Sequence, residues 1–417
     1  MAMMSETQGS SFRLSMLIYD TRYRSITIQI IFLFLMMAGA AWLIDNTLAN
    51  LAEKGKDIDF SFLWARAGYD INQRLVDYTN DSPHWVAWVV GLLNTLVLAA
   101  VACITATVVG VMAGVLRLSN NWIISKLMAA YVEMFRNIPL LLWILVIYAV
   151  LTEITPSPNQ FRGDNPSASM FMFDSMAITN RGSYLPSILF SRSLGDVNLG
   201  LLTVGVNSLV LIAIIIASVF GYRALQHSAA ATQESTGDRP VTWWKSLLIL
   251  FGPLILAMIA MGAHLELPVL KGFNFSGGLF VRNSFIAMWL ALTLYTGAFI
   301  AEIVRAGILA ISKGQSEAAF ALGLRPGRTM SLVILPQALR VIMPPLISQY
   351  LNITKNTSLA LAVGYMDLRA TLGGITLNQT GRELECMMLM MLTYLVISLI
   401  ISGSMNVYNN SIMLRER

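Results

Sequence analysis

The sequence predicts an all-α polytopic membrane protein, on three observations. Of its 417 residues 56% are hydrophobic and only 12% charged, about half the charged share of a soluble domain. Mean hydropathy is +0.65. The apolar residues fall in long unbroken runs, not in the alternating segments of about ten residues that mark a transmembrane barrel. Several runs approach the roughly 20 residues that a helix needs to cross a hydrocarbon core of about 30 Å. High hydrophobicity and low net charge also exclude intrinsic disorder.

Taken in order, the runs predict eight spans. Residues 26–44 and 85–116 are free of charge, and the second run includes Asn94 and Thr95. A third span over about 127–151 carries Glu133 and Arg136 near its start. Charge-free stretches follow at 199–222, 246–263 and 283–301, and a seventh at 342–364 contains Pro344, Pro345 and Lys355. The eighth covers about 386–405. Eight spans place both termini on one side. With that side cytoplasmic, the inner segments hold 15 Lys/Arg and 7 Asp/Glu, against 11 and 15 outside. The positive-inside bias therefore favours cytoplasmic termini, and it explains the net charge of +5 without nucleic acid as a partner. The first run follows Arg13, Arg22 and Arg24 and is long for a signal peptide, so it reads as an uncleaved anchor. Segments 152–198 and 223–245 read as solvated linkers, the latter bounded by Trp243 and Trp244.

Chemical motifs are sparse. No phosphate-binding G-x-x-x-x-G-K-[ST] loop or nucleophile elbow occurs, and Gly323 to Arg328 lacks the lysine and the spacing. His84, His227 and His264 lie far apart, and Cys103 and Cys386 sit in or beside apolar runs, so no metal site or disulfide is expected. The chain does not read as an enzyme by itself.

The informative stretch is 302–341, forty residues on the inner side. Ser316 to Leu322 favours a short helix, with Gly323 as its C-terminal cap and Pro326 preventing its continuation. A second helical piece from about Arg328 is expected to end before Pro344. A short exposed helix suits the groove of a partner protein; a plain connector between two spans is the other reading of the spacing.

These residues carry a resemblance. Glu317-Ala318-Ala319, Gly323 and Leu335-Pro336 fit E-A-A-x-x-x-G-x9-I-x-L-P, with Val333 at the isoleucine position. The pattern resembles the EAA loop of binding-protein-dependent ABC importer permeases. Tyr131 to Leu141, Ala301 to Gly307 and Lys355 to Leu359 are similar to motifs of its polar amino-acid branch. The chain departs from that branch at Asn137-Ile138, where Gly-Thr is usual, and at Asn356, where Asp is common. The resemblance covers about 85–151 and 283–407 and implies a five-span type-I importer core. Residues 1–84 then form the N-terminus, first span and outer loop, and 85–407 the permease domain. An insertion at about 152–282 adds two spans, and 408–417 is a tail. Such a long form resembles one permease subunit of the general L-amino acid importers. It implies partner ATPases that carry ATP and Mg, a second and different permease, a periplasmic amino-acid-binding protein, and a bacterial inner membrane. The chain itself is expected to bind no cofactor.

Individual residues have competing readings. Glu133 with Arg136, and Glu302 with Arg305, are spaced to meet on one helix face, as local ion pairs or as parts of an inner gate. Lys355 stands inside a span beside Asn356, Thr357 and Ser358, where a cation should face the bundle interior or water; a path role and a structural role both fit. Glu302 is a candidate to neutralise it. Asn94 and Thr95 suit either the substrate path or helix–helix bonding, and Gly110 with Gly114 suits close helix packing. Without the EAA helix the chain would read as a self-sufficient secondary transporter or channel.

Overall fold

The computed structural model describes residues 16–412 apart from 54, 56, 164, 199, 201 and 202. Arg13 and the tail beyond 412 lie outside the described residues. Two compact units emerge, Met1–Phe60 and Ser61–Arg417. The first contains helix α1, Thr21–Glu53, whose apolar side chains such as Phe32, Leu35 and Trp42 are exposed, as a lipid-facing span requires.

The second unit is built on α2 (His84–Arg117), α3 (Trp122–Asn137), α4 (Leu140–Ala149), α5 (Val206–Thr236), α6 (Trp243–Ala260), α7 (Asn283–Leu309), α8 (Lys313–Ala321), α9 (Leu335–Asn356) and α10 (Glu383–Ile412). Among the described residues seven helices are long and apolar enough to cross a membrane, or eight with a bent pair counted as one. That pair stands where one span is predicted at about 127–151. α3 and the stretch Leu140–Ile154 meet at 105°. Pro139 drives Ile138 into extended backbone (φ −107°, ψ 133°), which ends one helix and starts the other.

α2 against α7 is the central packing. Gly110 and Gly114 let the backbones approach: a Cβ on Gly110 would stand 2.5 Å from Ile300 Cβ, and one on Gly114 2.6 Å from the Ala301 carbonyl. Polar bonds knit the same bundle. Thr105 and Thr293 hydroxyls lie 2.7 Å apart, Thr107 meets the Tyr350 hydroxyl at 2.8 Å, and Tyr131 donates to the Leu294 carbonyl at 2.7 Å. Leu98, Ile144, Met288, Leu292, Ile300 and Ile353 fill the core between them.

Three expectations fail. The helix leading out of the 302–341 stretch does not stop before Pro344; α9 carries Pro344 and Pro345 inside it. A membrane helix tolerates such prolines because neighbouring helices, hydroxyl side chains and local backbone adjustment satisfy the carbonyls they free. The polar segment 223–245 is no linker up to Thr236, because α5 continues through its Ala-, Gln- and Arg-containing stretch and closes at Gly237 (φ +79°). Only 237–242 connects α5 to α6.

Nor is 152–198 a plain solvated loop. It contributes β1 (Ala177–Thr179), β2 (Gly182–Leu185), β3 (Ser187–Phe190) and β4 (Asp196–Asn198), followed by β5 (Thr203–Gly205). Partners come from β6 (Ala263–Glu266), β7 (Val269–Lys271), β8 (Asn274–Ser276) and β9 (Leu279–Arg282). β1, β2 and β9 form one antiparallel sheet, β3 pairs with β6, β4 with β5 and β7 with β8. Tyr184, Phe275 and Ala177 form a small core there, with Phe161 edge-on to Phe275. α7 therefore has a strand end at Asn283 and, at Leu309, a loop end that leads into α8.

Candidate functional site

At the loop end, α8 presents Glu317 and Ala318 to the outside while Ala319 is buried. Its C-terminus closes with paired backbone bonds, Gly323 N–H to Phe320 O at 2.9 Å and Leu324 N–H to Ala319 O at 3.1 Å. This geometry places Gly323 at φ +77°, a left-handed position that suits glycine. A Cβ at Gly323 would meet nothing within 4 Å, so the space beside it is open. Arg325 is extended ahead of Pro326, as a residue before proline tends to be. A short helix, Pro326–Thr329, and a widened π turn, Met330–Ile334, then lead into Leu335 and Pro336 at the start of α9. Pro336 has no N–H to return to the preceding turn. Phe320, Leu322, Leu332 and Leu335 remain exposed around the helix, Leu322 at 83%. The helix therefore combines exposed polar and apolar side chains with a glycine-capped end.

Just within the bundle, the carboxylate of Glu302 accepts from Arg117 and, at 2.5 Å, from Arg305. The expected Glu302–Arg305 pair is present. The expected Glu133–Arg136 pair is not. Glu133 lies 3.8 Å from Arg117 and accepts from Asn137, while the Arg136 guanidinium sits over the Phe299 ring at 5.4 Å. Arg117 is the missed residue: it ends the second apolar run, and it ties α2 to α3 and α7. Glu302 is also committed to arginines and does not neutralise Lys355.

Lys355 is exposed on this chain and, among the described residues, has no ion-pair partner. The backbone there does not break. α9 tightens into a 3-10 helix, Thr357–Val363, which ends at Gly364 (φ +69°). Thr357 and Ser358 hydroxyls bond carbonyls of their own helix, at Thr354 and Lys355, and Asn356 is half-buried.

Asn94 and Thr95 tie elements together. The Asn94 amide donates to Gln73 and Met366 carbonyls at 2.8 Å each, and the Thr95 hydroxyl accepts from the Leu368 N–H at 3.0 Å. Asn94 also lines a cavity of about 460 Å3 with Asn72, Gln73, Arg74 and Tyr365. Beside Thr95 and Thr357 sits the Tyr394 hydroxyl, which reaches the buried Asp367 carboxylate at 3.5 Å. Neither Asp367 nor Tyr394 stands out in the sequence, because each belongs to a different stretch and only folding brings them to Thr95. Burial pushes the Asp367 carboxyl up to about 7.

A bundle of apolar, membrane-length helices that surrounds buried polar groups and leaves a short capped helix exposed is the architecture of a membrane permease. Residues 106–413 match the family described as the binding-protein-dependent transport system inner membrane component, and the chain belongs to it. The chain is 60% identical to the glutamate/glutamine/aspartate/asparagine transport system permease protein BztB of Rhodobacter capsulatus, over 100% of both. It is 41% identical to the general L-amino acid transport system permease protein AapQ of Rhizobium johnstonii, over 98% of this chain and 96% of that one. A solved amino acid ABC transporter chain matches with a TM-score of 0.43 and 18% identity, over 78% of this chain and 94% of that one.

Proposed function

We propose that the chain is one permease subunit of an ATP-driven importer of L-amino acids in a bacterial inner membrane, with both termini cytoplasmic. The exposed, glycine-capped α8 carries this reading, because a self-sufficient transporter has no use for a docking helix. Partner ATPases that bind ATP and Mg would seat Glu317, Ala318 and the Gly323 corner in a groove. Their closure would pass through Leu335 and Pro336 into α9, and through Glu302, Arg305 and Arg117 into α7 and α2. A periplasmic binding protein would deliver the amino acid at the strand end, and a second, different permease would complete the path across the bilayer. Hydrolysis belongs to the ATPases. The names of the full-length relatives support amino acids as cargo, acidic ones and their amides included.

Gly323→Asp tests the reading. The new side chain meets no neighbour in this chain, and the left-handed backbone costs it about 1–2 kcal/mol. The subunit should therefore still insert, but it should no longer retain its ATPase on purification in mild detergent, and ATP-dependent uptake should be lost. Full uptake by the variant, or wild-type uptake without ATP, would overturn the proposal.

A further inference from the structure

Between α9 and α10 the chain folds around a cavity of about 450 Å3, within the range of small-molecule sites. Its walls are largely apolar, from Leu361, Met366, Ile375, Leu377 and Met387, with Asn378 at one side. Its one charged lining residue is Arg369. The guanidinium folds back over its own backbone and donates to the Gly373 carbonyl at 2.5 Å. Gly373 makes room for it: a Cβ there would stand 3.0 Å from Arg369 Nη1 and 2.8 Å from Met390 Sδ.

Among the described residues no carboxylate forms an ion pair with Arg369. Asp367, two residues earlier, feels the Arg369 charge without forming an ion pair with it, and takes its hydrogen bonds from the Ala370 N–H at 2.9 Å and the Tyr394 hydroxyl. A half-buried guanidinium with most of its five donors uncommitted is best satisfied by an anion, and its planar fork matches a carboxylate bidentately. We infer that Arg369 holds a carboxylate of the translocated amino acid in this cavity, with the apolar walls around its carbon chain. The inference rests on the importer reading above and extends it to a substrate contact.

The test uses the complete transporter, with its ATPases, partner permease and binding protein, in liposomes supplied with ATP. Uptake of glutamate and glutamine is measured for Arg369→Gln, Arg369→Lys and Asn378→Asp. Arg369→Gln should lower glutamate uptake about tenfold or more, and Arg369→Lys less, since a point charge replaces part of the fork. A parallel fall in glutamine uptake assigns the α-carboxylate as the group held, and a fall for glutamate alone assigns the side-chain carboxylate. Asn378 is exposed and bonds only its own turn at Gly374 among the described contacts. Asn378→Asp should therefore leave the fold intact while its acid competes for Arg369, lowering glutamate uptake about fivefold.

Glutamate uptake within about twofold of wild type in both Arg369→Gln and Asn378→Asp overturns the inference. Poor recovery of the complex in both Arg369 variants, with Asn378→Asp transporting normally, also overturns it and assigns Arg369 to a carboxylate of a partner chain. A wild-type transporter that takes up neither amino acid instead removes the importer reading itself.

Discussion

Asp367 lies between the last two spans without solvent exposure. Burial raises its carboxyl to about 7, although the Ala370 and Arg369 amides, the Tyr394 hydroxyl and the Arg369 charge all pull it down. Its ordinary value is 3.8, so across that window the folded chain keeps a proton that the unfolded chain has released. Its contribution is fully present below about pH 4 and is lost as pH rises through 7, by a few kcal/mol at the order-of-magnitude level. The detergent-solubilised subunit should therefore melt lower at pH 7.5 than at pH 5 by a margin that shrinks in Asp367→Asn; an equal margin in both proteins would refute the assignment. Lys355 poses a different question, because it is exposed and, among the described residues, has no ion-pair partner. If it faces the path, Lys355→Met should reduce glutamate uptake relative to arginine uptake several-fold, since the cation attracts carboxylates and repels guanidinium groups. An unchanged ratio with a clear fall in Tm would assign Lys355 to structure.

At the scale of elements, the α2–α7 contact depends on small residues. Gly110→Ala would bring a methyl to 2.5 Å from Ile300 Cβ and 2.9 Å from the Gly297 carbonyl. The helices must separate or shift, at a cost of about 1–3 kcal/mol. Thermal melting of the variant should fall by several degrees, and Ile300→Ala should recover part of that loss in the double variant. No recovery would mean that the backbone approach at Gly297, not the side-chain clash, sets the cost. The ion pairs at the loop end act at the same scale. Arg117 spans three helices where the sequence offers only i,i+3 spacings, so the cluster links elements instead of capping one.

For the whole molecule, α5, α6 and α7 each run between a strand end and a loop end. In a background without Cys103 and Cys386, Asn159→Cys and Ser228→Cys, both exposed, should label with a membrane-impermeant thiol reagent from opposite sides. Labelling from one side would exclude the eight-span arrangement. The α5–α6 hairpin is apolar and little buried within this chain, and it joins the bundle through the flanking strands. Both of its helices are long and apolar enough to cross a membrane.

Hydropathy and the residue spacing of the 302–341 stretch by themselves determined the fold class and the exposed helix with Gly323 at its end. Each of these is local: a span needs only its own twenty or so apolar residues, and a capped helix needs only its own turn. The tertiary structure alone decided what is not local. The strands escaped notice because they are three or four residues long and pair with segments tens of residues away, as β3 does with β6. Arg136 and Glu133 have suitable spacing, yet the neighbours offered by α2 and α7 override it, with Phe299 under one and Arg117 beside the other. The sites at Asp367 and Arg369 follow the same logic. The buried acid meets Tyr394, 27 residues further on, only because packing brings two stretches together, and the cavity beside Arg369 exists only because Met387 and Leu361 close on it from separate elements.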